Sequence, residues 1–259
     1  MKSTSLSIDI SGHGQPLVLL HGWGVNSSIF APLTEQLSQY SCWRIDLPGF
    51  GASQPITAGF DAWVDAIAAK IPDNAIVLGW SLGGLVATSL ALRYPAKVAA
   101  LITVASSPCF LAKPDEQWPG IAPQVLQQFA VQLQQDLSKT VERFLALQAM
   151  GSSSARDDIR LIRELVLSKP QPDADALAAG LTMLRDIDLR AALPTLNVPW
   201  LRLWGKLDGL VPRKVLAQLP SQGNATDVLF AKASHAPFIS HTDQFVTEIN
   251  QWCAEKGLI

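Results

Sequence analysis

Short apolar runs rich in Val, Ile and Leu alternate along the chain with segments of helical periodicity. The runs predict strands over residues 6–10, 17–20, 43–46, 75–79, 101–104, 199–204 and 227–230. Helices are predicted over residues 28–39, 61–70, 82–93 and 243–255. We expect the first two strands to form a hairpin through the turn at Gly12–Gly14. The alternation is typical of α/β proteins in which helices cover both faces of a mainly parallel sheet.

The pattern changes between residues 108 and 194. Strand-like runs disappear there, and helical periodicity continues to residue 194. We interpret this segment as a helical lid inserted into the sheet domain. The predicted organisation is a core of residues 1–107 and 195–259 with a lid of residues 108–194.

Composition narrows the functional classes. The 259 residues are 48% hydrophobic and 16% charged, a balance typical of a globular protein. The formal net charge of −2 gives no overall attraction to nucleic acid or to an anionic membrane. The amino terminus lacks the apolar core of a signal peptide, and no apolar run approaches the roughly 18 residues of a membrane span. Three scattered cysteines fit reduced thiols. We therefore expect a cytoplasmic monomer.

A candidate nucleophile follows a predicted buried strand and precedes a predicted helix. The segment Gly79-Trp80-Ser81-Leu82-Gly83 has the form of the nucleophile elbow of the α/β-hydrolase fold. Its turn is so tight that side chains beside the serine would collide, which explains the glycine two residues to either side. Ser81 is the predicted nucleophile.

A serine hydroxyl needs a base, and the base needs an orienting acid. Of four histidines, His235 lies in the loop after the last predicted strand, from which a side chain can reach the elbow. Asp208 follows the preceding strand and is the predicted acid. Asp46 also follows a strand, but it enters the Pro48–Gly51 turn, and we interpret it as structural. The order Ser81, Asp208, His235 is the one this fold requires.

Two backbone N–H groups are predicted to hold the oxyanion of the reaction. Leu82 N–H lies at a helix amino terminus, directly after the nucleophile. The second donor should come from the glycine-containing loop His21-Gly22-Trp23-Gly24, and we assign it to Trp23 N–H.

Two other classes compete with a hydrolase. A dinucleotide-binding fingerprint is imitated by the small residues Gly22, Gly24 and Ser27, followed about 20 residues later by Asp46. Bulky Trp23 within the turn argues against that hypothesis, and so does serine at the third small position. A non-catalytic binding protein on the same fold is the other alternative, but such proteins usually lack one residue of the triad.

Several stretches resemble the pimeloyl-[acyl-carrier protein] methyl ester esterase family of biotin synthesis. They include residues 19–24, 78–84, 104–110, 141–148, 207–215 and 235–241, so the resemblance extends into the predicted lid. It implies an α/β-hydrolase that removes a methyl group from a pimeloyl chain held on acyl carrier protein and needs neither cofactor nor metal. A broad-specificity short-chain carboxylesterase without carrier preference is the alternative.

The resemblance also implies which residues contact substrate. These are Trp23, Ser81, Leu82, Phe144, Leu145, Ala146, Leu147, Gln148 and His235. Two basic rows at helical spacing in the lid, Lys139 with Arg143 and Arg156 with Arg160, are expected to contact the acidic carrier. Arg163 continues the second row, and its participation stays open.

Overall fold

A computed structural model describes residues 5–149, 155–220 and 224–259, with the backbone alone at residues 137, 138 and 147–149. The strands are β1 (Ile8–Ser11), β2 (Gln15–Leu20), β3 (Tyr40–Ile45), β4 (Ala75–Trp80), β5 (Val98–Val104), β6 (Trp200–Gly205) and β7 (Ala225–Phe230). The helices are α1 (Ala31–Glu35), α2 (Phe60–Ala68), α3 (Leu82–Arg93), α4 (Pro123–Gln135), α5 (Leu137–Ala149), α6 (Ala155–Val166), α7 (Ala174–Asp186), α8 (Pro237–Ser240) and α9 (Thr242–Glu255). Short 3₁₀ segments lie at Ser27–Phe30, Pro114–Glu116, Arg190–Thr195 and Arg213–Gln218.

The described strands form one seven-stranded sheet in the order β1-β3-β2-β4-β5-β6-β7. Every neighbouring pair is parallel except β1 with β3, which confirms the predicted mainly parallel sheet. The predicted hairpin between the first two strands is wrong, because β3 lies between β1 and β2. The turn at Gly12–Gly14 instead carries the chain across β3, with His13 N–H donating to the Ser38 carbonyl at 3.2 Å.

Side chains of successive β2 residues point to opposite faces of the sheet, as the pleat of a strand requires. Val18 and Leu20 enter the cluster that contains Trp63 of α2 and Leu85 of α3. Leu17 and Leu19 enter a second cluster with residues of α1 and α9. Both faces are therefore buried, which accounts for the uninterrupted apolar runs of the central strands.

The helix predicted over residues 28–39 is shorter in the structure. A 3₁₀ turn over Ser27–Phe30 leads into α1, which ends at Glu35. Gln36 and Leu37 then donate to carbonyls three residues back, at 3.1 and 3.2 Å, a tighter winding that ends the helix. Leu37 is buried although it lies beyond the helix. Its apolar side chain continues the helical periodicity, which is why the predicted helix was too long at its carboxyl end.

Helices α4 to α7 all lie between β5 and β6. The two ends of this segment meet, because Leu189 N–H donates to the Pro108 carbonyl at 2.8 Å and Cys109 forms a β-bridge with Asp188. These contacts fit an inserted lid, and its boundaries at residues 107/108 and 194/195 stay a prediction. Within the described ranges, no helix combines the length and apolar character needed to cross a membrane.

Candidate active site

Ser81 occupies a strained turn between β4 and α3. Its φ of 54° and ψ of −118° are rarely adopted by residues other than glycine. The Ser81 N–H donates to the Val104 carbonyl at 3.0 Å, which ties the turn to β5. A methyl group placed on Gly79 would collide with the Gly83 carbonyl, and one on Gly83 would collide with the Leu20 carbonyl. The glycines at these two positions are therefore steric requirements of the elbow.

His235 and Asp208 form a buried pair in the loops that follow β7 and β6. The His235 Nδ1 lies 2.8 Å from Asp208 Oδ2. Because a carboxylate only accepts, Nδ1 carries the hydrogen and Nε2 is left as the acceptor. The second Asp208 oxygen accepts from the N–H groups of Leu210 and Val211, at 2.8 and 3.0 Å. These two donors fix the carboxylate plane and with it the orientation of the imidazole.

Trp80, the residue before Ser81, holds the His235 backbone next to the elbow. Trp80 Nε1 donates to the His235 carbonyl at 2.8 Å, and the two ring centroids are 5.7 Å apart. The buried Nε2 of His235 has no hydrogen-bond partner among the described residues, so it is available to accept a proton. Ser81 is only 2% exposed. The structure thus joins His235 to Asp208 and bonds the His235 backbone to Trp80, the residue directly before Ser81.

The predicted oxyanion donors flank the nucleophile. A methyl group on Gly22 would lie 3.3 Å from Ser81 Cβ, so the loop that carries Trp23 runs beside the elbow. Leu82 is the first residue of α3, where an N–H has no partner within the helix. Within the part of the chain that the structure describes, neither the Trp23 nor the Leu82 N–H donates to a protein acceptor. Both N–H groups are therefore without a described protein partner, as the predicted oxyanion role requires.

Ser106 supports the elbow, a role that the sequence did not suggest. Its hydroxyl donates to the Ser81 carbonyl at 2.8 Å, and its side chain fills the space that a methyl group on Gly84 would need. The available signal was its position just beyond the end of β5, beside the nucleophile strand.

His21 braces the loop that carries Trp23, and both of its ring nitrogens are engaged in doing so. Its Nδ1 donates to the Gly22 carbonyl at 2.8 Å, and its Nε2 accepts from Leu47 N–H at 2.9 Å. Complete burial lowers the pKa of His21 to about 4, although nearby Asp46 opposes that shift. The imidazole is consequently neutral at physiological pH, with both nitrogens engaged.

Asp46 is buried and fully bonded, as its structural interpretation predicts. One oxygen accepts from Ser27 N–H at 2.8 Å, and the other accepts from Ala52 N–H and Lys169 Nζ, both at 3.0 Å. Burial by itself raises the pKa of this carboxyl, but the neighbouring His21 and these donors outweigh it and lower the pKa. Asp46 is fully buried and already bonded on both oxygens, so it is not exposed to the ribose of a dinucleotide, which argues against the fingerprint hypothesis.

The predicted substrate contacts of the lid have different environments. Phe144 packs against the Trp23 ring, with centroids 4.8 Å apart, and both are buried. Leu145 is also buried and lines a cavity of about 240 Å³ that reaches Gly24. Ala146 is exposed. The side chains of Leu147 and Gln148 lie outside the described residues.

The four predicted carrier contacts are all exposed. Lys139 Nζ lies 3.2 Å from Asp136, and Arg160 lies 3.4 Å from Asp157, so part of their charge is balanced locally. No carboxylate lies within ion-pair distance of Arg143 or Arg156 among the described residues. The Arg143 guanidinium lies 5.9 Å from the Phe129 ring centroid.

Arg163 of α6 forms an ion pair with Glu142 of α5 at 3.2 Å, which links the two helices that carry the basic rows.

The described residues contain no group of three or more His, Cys, Asp or Glu side chains arranged for a metal ion. All three cysteines are free and buried, and burial raises the pKa of each thiol, to about 11 for Cys42 and Cys253.

Residues 15–242 match the family described as the alpha/beta hydrolase fold. A pimeloyl-[acyl-carrier protein] methyl ester esterase from Shewanella woodyi is 60% identical over 251 residues, covering 96% of this chain and 98% of the relative. The protein of that name from Aliivibrio fischeri strain MJ11 is 50% identical over 250 residues, with coverage of 95% and 96%.

Solved structures show the same fold at low sequence identity. An esterase from Exiguobacterium antarcticum superimposes with a TM-score of 0.84 at 23% identity, covering 96% of this chain and 95% of that one. The enol-lactonase from Burkholderia xenovorans LB400 gives 0.82 at 21% identity, covering 98% of both chains.

Proposed function

The chain belongs to the α/β-hydrolase family and, within it, to the pimeloyl-[acyl-carrier protein] methyl ester esterases, and we propose that it acts on that substrate by serine catalysis. It hydrolyses the methyl ester of pimeloyl-[acyl-carrier protein] to the free acid and methanol in biotin synthesis. The observation that carries the catalytic assignment is the buried His235–Asp208 pair. Its Nε2 has no partner among the described residues, and the His235 carbonyl is bonded by Trp80, the residue before Ser81.

Acylation begins with proton transfer from the Ser81 hydroxyl to His235 Nε2 while the serine oxygen attacks the ester carbonyl. The tetrahedral oxyanion accepts hydrogen bonds from the Trp23 and Leu82 N–H groups, which need no reorganisation at that moment. Asp208 stabilises the imidazolium. His235 then gives the proton to the methoxy oxygen, and methanol leaves.

Deacylation repeats these steps with water. His235 takes a proton from the water as its oxygen attacks the acyl carbonyl, and the same two N–H groups hold the second oxyanion. The proton returns to the Ser81 oxygen when the acyl bond breaks. Pimeloyl-carrier leaves with a free carboxylate, and the enzyme is restored.

The lid supplies apolar surface for a methylene chain. Phe144 and Leu145 are buried in it, and Leu145 lines the cavity that reaches Gly24, the residue after the oxyanion donor. Because Ser81 is almost fully covered, part of this surface has to move before the ester enters. Ala146, Leu147 and Gln148 belong to the same proposed contact segment of α5.

The carrier docks on the basic rows of α5 and α6. The Arg163–Glu142 ion pair places these helices side by side, so Lys139, Arg143, Arg156 and Arg160 present positive charge on neighbouring helices. Acyl carrier proteins are acidic, and such a patch steers an acidic partner even though the whole enzyme carries a net charge of −2.

The test compares methanol release from pimeloyl-carrier methyl ester with release from the free methyl ester of pimelate. We expect kcat/KM to be at least about tenfold higher for the carrier-bound ester at low salt, with the advantage shrinking as salt screens the encounter. Equal values for the two esters favour the alternative, a broad-specificity short-chain carboxylesterase.

The docking surface is tested by charge reversal of Arg156 and Arg160. The double variant should lose most of the carrier advantage and keep its activity on the free ester. Arg185→Glu is the matched control, because Arg185 is an exposed arginine of lid helix α7. If the control and the double variant lower carrier-bound turnover equally, the proposed patch is wrong.

A further inference from the structure

The peptide that carries the Trp23 N–H lies between two glycines. Gly24 has a φ of 78°, a conformation that favours glycine, and Gly22 has no side chain to anchor the loop. Glycine backbone is intrinsically free to rotate, so this peptide needs contacts from outside the loop to hold it. His21 supplies one of them, because its Nδ1 donates at 2.8 Å to the Gly22 carbonyl of the peptide that carries the Trp23 N–H. The contacts that hold the Trp23 indole supply the other.

Helix α7 of the lid holds that indole by two contacts. Trp23 Nε1 donates to the Leu177 carbonyl at 2.8 Å, and both residues are fully buried. One turn further along α7, Gly180 allows the helix to approach the indole closely. A methyl group on Gly180 would lie 2.6 Å from Trp23 Cδ1 and 3.3 Å from Leu82 Cδ2. One glycine thus faces the side chains of both proposed oxyanion donors.

We propose that Gly180 and the Leu177 carbonyl are positioning elements of the oxyanion hole, so that the hole is complete only when α7 is seated on Trp23. Neither group touches the reacting atoms. They act by fixing the indole, which together with the His21 bond to the Gly22 carbonyl orients the peptide that joins Gly22 to Trp23. The inference rests on the proposed function, because it assumes that Trp23 N–H holds the oxyanion.

A second interpretation of Gly180 makes a different kinetic prediction. If the glycine only leaves room for the acyl chain, a methyl group there impairs binding, which raises KM and spares kcat. If it positions the oxyanion donor, the methyl group weakens an interaction made in the transition state, which lowers kcat and leaves KM nearly unchanged.

The experiment measures kcat and KM of the full-length Gly180→Ala and Trp23→Phe variants on a p-nitrophenyl ester of a short acid. Trp23→Phe keeps the backbone N–H and an aromatic ring but removes the Nε1 donor to Leu177. We expect kcat to fall about 10- to 100-fold in each variant, within the effect of losing one oxyanion donor. KM should change less than about threefold.

A trifluoromethyl ketone gives a readout that a purely structural role does not move. Ser81 Oγ adds to the ketone carbon, its proton passes to His235 Nε2, and the ketone oxygen becomes an oxyanion in the hole. Affinity for this inhibitor should weaken in proportion to kcat/KM, because both report the same oxyanion contacts.

Thr182→Ala is the matched control. Thr182 is an exposed residue of α7, and its replacement raises helix propensity, as Gly180→Ala does, without approaching Trp23. We expect wild-type kcat and KM. Thermal unfolding of each variant separates misfolding from mispositioning, and Trp23→Phe decides the question if Gly180→Ala does not fold.

The inference is overturned if folded Gly180→Ala or folded Trp23→Phe keeps wild-type kcat and inhibitor affinity, or if only KM rises. Such a result leaves the proposed function intact when the wild type hydrolyses the ester. Absence of hydrolysis of pimeloyl-carrier methyl ester by the wild type contradicts the proposed function itself, and the positioning role with it.

Discussion

His235 Nδ1 lies 2.8 Å from Asp208 Oδ2, and both side chains are almost completely withdrawn from solvent. The opposite ring nitrogen is buried without a hydrogen-bond partner among the described residues. A buried polar nitrogen without a partner is uncommon, because its desolvation is not compensated. An unpartnered ring nitrogen is what the proposed role of His235 as the base for Ser81 requires.

Replacing Asp208 by Asn should abolish most of the activity without unfolding the protein. An amide can donate to Nδ1, which favours the tautomer with hydrogen on Nε2 and removes the acceptor that Ser81 needs. We expect kcat to fall about 10⁴-fold, as in other serine triads. Asp243→Asn is the control, because the carboxylate it replaces bonds the side chain of Gln36 at an exposed position. Steady-state kinetics and thermal unfolding check both variants.

Ser106→Ala should lower kcat about tenfold, because the Ser81 carbonyl loses its hydroxyl donor in a strained turn. The matched variant is Ser107→Ala, which also removes a buried hydroxyl that donates to a carbonyl, here that of Cys109. We expect similar stability losses, about 1 kcal/mol each. If Ser107→Ala lowers kcat as much as Ser106→Ala does, the loss reflects general packing and not support of the elbow.

Stability should decrease between pH 6.5 and 4 because of His21. Its pKa is about 4 in the folded protein, below the usual 6.5 of an unfolded chain. In that window the unfolded state binds more protons, so the free energy of unfolding falls as pH falls. One such group contributes a slope of up to about 1.4 kcal/mol per pH unit.

His21→Gln should remove this contribution, since glutamine does not titrate. Denaturant unfolding between pH 4 and 6.5 gives the slope for the wild type and the variant. His13→Gln is the control, because His13 is exposed and no buried imidazole is lost. A slope that stays at the wild-type value in His21→Gln is incompatible with a neutral buried His21.

Lys169 should stabilise the seating of the lid on the core. Its ammonium bonds Asp46 at 3.0 Å and Asp9 at 2.7 Å, with Asp46 fully buried. Lys169→Met leaves the Asp46 carboxylate without a cation, which should cost about 3 kcal/mol. Lys97→Met breaks an ion pair with Asp73, an exposed residue, and should cost less than about 1 kcal/mol. Equal losses in chemical denaturation would argue against a buried ionic anchor.

The sequence was sufficient to predict the strands of the sheet and to name Ser81, Asp208 and His235 as candidates. Central strands are continuous apolar runs because both faces are buried, and Ser81 sits between glycines that the turn sterically requires. Features that depend on neighbouring residues in the sequence could therefore be predicted. The pairing of β1 could not be predicted. Its hydrophobic pattern would be the same whether it lay beside β2, its neighbour in sequence, or beside β3.

Contacts between distant segments could not be predicted. Ser106 and Gly180 have ordinary neighbours in sequence, and their roles depend on a carbonyl 25 residues away and on an indole of the oxyanion loop, respectively. Lys169 likewise lies in the lid and bonds carboxylates of the core. Such roles follow from packing geometry, which periodicity does not encode.

The most direct test of the account is methanol release from pimeloyl-carrier methyl ester by the wild type and by Ser81→Ala at equal concentrations of folded enzyme. Removal of the nucleophile should lower kcat by about 10⁴-fold or more while the variant still binds the carrier-bound ester. A folded Ser81→Ala enzyme that releases methanol within tenfold of the wild-type rate would contradict the assignment of Ser81 as the nucleophile.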